Sequence, residues 1–64
     1  MNPPTDDEIY AALLLIAGTM GPVVLSLACL DAAKELFDDE PTEENAELLK
    51  YQARIVRIAE ERKP

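Results

Sequence analysis

The run IYAALLLIAGTMGPVVLSLACL, residues 9–30, decides how this chain folds. It holds 22 residues without a charged side chain. An uncharged apolar stretch of about 18 or more qualifies by length as a membrane span. Its middle reads otherwise. Gly18-Thr19-Met20-Gly21-Pro22 places two glycines and a proline within five residues. Pro22 lacks the amide a helix interior needs and biases Gly21 away from helical geometry, yet it suits the first turn of a new helix. The run is therefore read as two helices with a break between them. The first is expected over residues 6–17 and the second over 22–37.

Working outward supports this division. On the N-terminal side, Thr5-Asp6-Asp7-Glu8 has the pattern of a capping box, in which the Thr5 hydroxyl and the Glu8 side chain satisfy each other's backbone amides. Asp6 and Asp7 also suit the positive end of a helix. On the C-terminal side the second half of the run continues through Asp31, Lys34 and Glu35 as one helix. Asp38-Asp39-Glu40-Pro41-Thr42 then punctuates the chain. Three acids at a helix C-terminus oppose the dipole, so the second helix is expected to stop near Phe37. Thr42 or Asp39 can cap a third helix over residues 43–62, with Arg62 and Lys63 complementing its end. Strict alternation is absent, and Ala, Leu, Glu and Lys dominate between breaks, so no β-structure is expected.

The faces of these helices set the packing problem. On the third helix, Leu48, Leu49, Tyr51, Ile55, Val56, Ile58 and Ala59 spread over one side, opposite Lys50, Arg54 and Arg57. The second helix has only a narrow polar strip, and small residues at Ala28, Ala32 and Ala33 permit close approach. The first has no polar side beyond its opening acids. Such a helix needs burial all round or lipid, and two other helices cannot surround it. The expected fold is therefore a single all-α domain over residues 1–64. It is a three-helix bundle, or a helical hairpin with a short first helix, completed by self-association or by a partner chain.

Composition agrees. Sixty-four residues bury only about 60% of the unfolded surface, and 48% of this chain is apolar. One cysteine excludes an intrachain disulfide, and the absence of histidine excludes a Cys/His zinc site. Thirteen acids against six bases give a net charge of -7, which argues against nucleic-acid binding and suits a partner with a basic surface. The charge is uneven. Residues 31–47 hold eight acids and one base, whereas residues 48–64 hold two acids and five bases.

Catalysis is not expected. Hydrolase triads and most proton shuttles use histidine. Cys29 sits among Leu27, Ala28 and Leu30 and is expected to be a buried packing residue. The carboxylates at Asp31, Glu35, Asp38 and Asp39 lack the loop spacing of a calcium site, and no phosphate-binding glycine loop is present. No cofactor or metal is expected.

The expected role is protein binding, as an inhibitor, adaptor, co-chaperone or accessory subunit. The candidate anchors are Leu13, Ile16, Phe37, Tyr51, Ile55 and Ile58, in a cytoplasmic and self-associating protein. The alternative is a single-pass membrane subunit with residues 9–30 in the bilayer. Every Lys and Arg follows that run, which places the N-terminus outside. The central break, poor aromatic anchoring and the amphipathic continuation through Asp31 weigh against it. A secretory signal is not expected, because the start carries acids and no bases.

Overall fold

The structure is a computed structural model that describes residues 2–62. It is all-α: α1 spans Asp6–Ala17, α2 Pro22–Asp39 and α3 Glu43–Glu61, with a 3-10 turn at Gly18–Met20 between α1 and α2. The three expected helices are present with a shorter first one. The part of the expected C-terminal capping that falls on Lys63 lies outside the described residues.

Each helix end has a local cause. The Thr5 hydroxyl accepts from the Glu8 amide, and Glu8 Oε1 accepts from the Thr5 amide at 3.0 Å, completing the capping box. Gly18 and Gly21 adopt φ of 56° and 88°, a region that glycine enters without the penalty of a Cβ. They turn the chain by 98° between the first two helices, and Pro22 then opens α2.

At its other end α2 runs two residues past the expected stop at Phe37. The acids Asp38 and Asp39 are solvent-exposed, where water weakens their repulsion from the helix dipole. The actual stop comes from Pro41, which disfavours helical geometry at Glu40; Glu40 adopts φ -135°. The Glu40 carbonyl accepts from the Thr42 amide at 2.8 Å and from Asn45 Nδ2 at 2.7 Å. Thr42 caps α3 through the Asn45 amide.

This short turn folds α2 and α3 into an antiparallel hairpin, the most extensive helix pair in the molecule. Small residues dominate its deepest positions: Ser26, Ala33 and Ala59 are buried. The Ser26 hydroxyl donates to the Val23 carbonyl at 2.9 Å, so a polar group inside the apolar run is satisfied by its own helix. Across the open end of the hairpin lies α1. Ile9 and Leu13 pack on Ile58 and Ala59, joined by Tyr10, Val23, Leu25 and Ile55.

Candidate functional site

Charged contacts fix α1 from its N-terminal end. Arg54 donates to Asp6 Oδ1 at 2.7 Å, and Arg62 donates to Asp7. The Arg62 guanidinium also lies 5.7 Å from the centre of the Tyr10 ring, within cation–π range. The hydrogen bond from Arg54 holds the Asp6 carboxyl below its ordinary pKa, and the bond from the Thr5 amide does the same for Glu8.

The opposite face of α1 has no cover. Leu15 is 85% exposed and Ile16 73% exposed, with Leu14 beside them. Ile9 and Leu13 occupy the side turned to the hairpin, so the apolar positions around the rest of the helix meet solvent. Met20 in the turn and Val24 and Leu27 on α2 are also exposed. Neighbouring exposed apolar residues such as Leu14, Leu15 and Ile16 form the kind of surface that marks an interaction site in a folded chain.

The six anchors read from the sequence divide into three groups. Leu13 and Ile58 are buried in the core of the chain. Phe37 and Ile55 are half-buried, Ile55 against that core. Ile16 and Tyr51 are exposed. Cys29 departs from expectation: it is exposed, because α1 crosses the hairpin at its end and does not reach that stretch of α2. Leu14, Leu15, Met20, Val24 and Leu27 were not among the anchors. Their signal was the absence of any polar side on the first helix.

Other surfaces offer less. A shallow depression of about 320 Å³ is lined by Lys50, Ala53, Arg54 and Arg57. Its three cations already face Glu47, Asp6 and Glu61. Among the described residues no group of three or more His, Cys, Asp or Glu side chains is arranged to hold a metal ion. No single helix among them is long and apolar enough to cross a membrane, although the bent pair α1–α2 passes that test as a unit.

Molecular dimensions match an open surface. A compact protein of this mass has an accessible area of about 4100 Å² and, at this length, a radius of gyration of about 10.7 Å. The chain has 4775 Å² and 12.2 Å. No protein-family model, curated protein or solved structure matches the chain.

Proposed function

We propose that this chain is a small protein-binding module, acting as an inhibitor, adaptor, co-chaperone or accessory subunit by packing helices against a partner protein. The observation that carries the reading is the uncovered apolar face of α1, from Leu14 to Ile16. Apolar anchors at the centre with charges at the rim are the expected anatomy. Self-association through α1 is the resting state in this reading, and the setting is cytoplasmic.

A second reading has its own support. Six of the exposed apolar residues, Leu14, Leu15, Ile16, Met20, Val24 and Leu27, fall inside the uncharged run 9–30. A membrane-anchored subunit would bury them in lipid. The 98° bend disfavours a straight span and leaves a broken or re-entrant one.

Fractionation separates the two readings. The binding-module reading expects the protein in the detergent-free supernatant, with Leu15→Glu reducing association while retaining helical circular dichroism. Recovery in membranes that resist carbonate extraction would favour the second reading and remove the first.

A further inference from the structure

A second uncovered surface lies on the hairpin, away from α1. Leu25 and Ile55 both pack against the core beneath α1. From Leu25, steps of four, three and four residues lead along one face of α2 through Cys29 and Ala32 to Leu36. From Ile55, steps of four and three lead back along α3 to Tyr51 and Leu48. The helices are antiparallel, so both stripes leave the core in the same direction, toward the Glu40–Thr42 turn. Cys29 and Ala32 are exposed, and Leu36, Leu48 and Tyr51 are 41%, 38% and 42% exposed. The crossing helix α1 reaches only the far end. Leu25 to Leu36 covers roughly 16 Å, room for about three turns of another helix.

The rim of this trough is acidic. Glu44 continues the Tyr51–Leu48 stripe by one more turn, Glu47 flanks it, and Glu40 stands just past the end of α2 in the adjoining turn. The segment 31–47 carries eight acids against the single base Lys34. Lys34 stands two positions from both Ala32 and Leu36, hence on the opposite side of α2. Among the described residues Glu40 and Glu44 form no ion pair, and the Glu47–Lys50 pair is solvent-exposed at 3.7 Å. A second copy of α1 is a poor occupant, because its own first turn is Asp6-Asp7-Glu8. An anionic lipid surface is repelled for the same reason.

We infer that the trough between Leu36 and the Leu48–Tyr51 stripe docks a basic amphipathic helix of another protein. Aliphatic residues of that helix enter the trough, and flanking Lys or Arg side chains meet Glu40, Glu44 and Glu47. This rests on the reading of the chain as a protein-binding module and names the partner chemistry for a surface separate from the α1 face. Apolar packing supplies the affinity, and charge complementarity supplies orientation and salt dependence.

The probe is a fluorescein-labelled helical peptide of about 14 residues made of Leu, Ala and Lys, with leucines on one face. An isomer of the same composition with scrambled leucine positions is the control. Fluorescence anisotropy on the full chain is expected to show saturable binding of the amphipathic peptide. The scrambled isomer, Leu36→Ser and Tyr51→Ser are each expected to bind at least about tenfold more weakly. Leu15→Ser is expected to leave binding within about twofold. The combined Glu40→Gln, Glu44→Gln and Glu47→Gln variant is expected to weaken binding and flatten its salt dependence. If circular dichroism shows one serine variant unfolded, the other and the charge variant decide.

No binding, or equal binding of the scrambled isomer, overturns the inference, the latter by reducing it to charge alone. Loss of binding on Leu15→Ser overturns it by moving the site to α1. Self-association that covers Tyr51 and competes with the peptide makes a second copy the occupant and also overturns it. None of these outcomes alters the Leu15→Glu test of the α1 face, so the two readings fail separately.

Discussion

Ile58 and Ile16 carry the same side chain in opposite surroundings. Ile58 is 1% exposed between α1 and the hairpin, whereas Ile16 points to solvent. Ile58→Ala removes buried methyl groups at a cost of about 2–5 kcal/mol, a large share of the stability a chain this small can hold. Chemical denaturation followed by circular dichroism should find little folded protein. Ile16→Ser should change stability by less than about 0.5 kcal/mol and show itself only in association. Both residues read alike in the sequence, because periodicity defines an apolar face without saying which neighbour lies against it. Cys29 was misread for the same reason: its neighbours in the sequence are apolar, but its neighbour in space is solvent.

At the scale of the helix, the most legible features were those with local causes. The capping box at Thr5, the glycine–proline break and the Thr42 cap depend on residues within four positions of one another. The right-angle crossing of α1 was not legible, since it follows from glycine dihedrals and from which side of the hairpin Ile9 and Leu13 meet. Asp6, bonded to Arg54 across the crossing, and Glu8, in the capping box that opens α1, both have lowered pKa values in the fold. Their contribution is present above the ordinary carboxylate range near about pH 4. It is lost as pH falls through the depressed folded values. The protection of α1 amides, measured against their intrinsic exchange rates, should therefore fall below about pH 4 before that of the hairpin, and Arg54→Met should remove part of that dependence. Equal protection of α1 and α3 across the acid range would contradict it. The hairpin has a different weak point. Ala59 is fully buried in the core with Ile9, Leu13 and Ile58, so Ala59→Leu should cost about 1–3 kcal/mol by overpacking. A lowered thermal midpoint would show this directly.

At the scale of the molecule, two long helices and one short crossing helix make a flat body, 34 × 29 × 18 Å. A body of that shape leaves apolar surface on α1 and along the hairpin, and the sequence signalled the first of these through the missing polar side of α1. At this scale the reading makes one direct demand: in the resting state a second copy of the chain covers the α1 face. Light scattering behind a sizing column, in detergent-free buffer, tests it most directly. The expected result is a closed species heavier than the 7.1 kDa chain, reduced to a folded monomer by Leu15→Glu. A sharp wild-type monomer that stays folded and soluble at about 0.1 mM, well above a micromolar Kd, would contradict it.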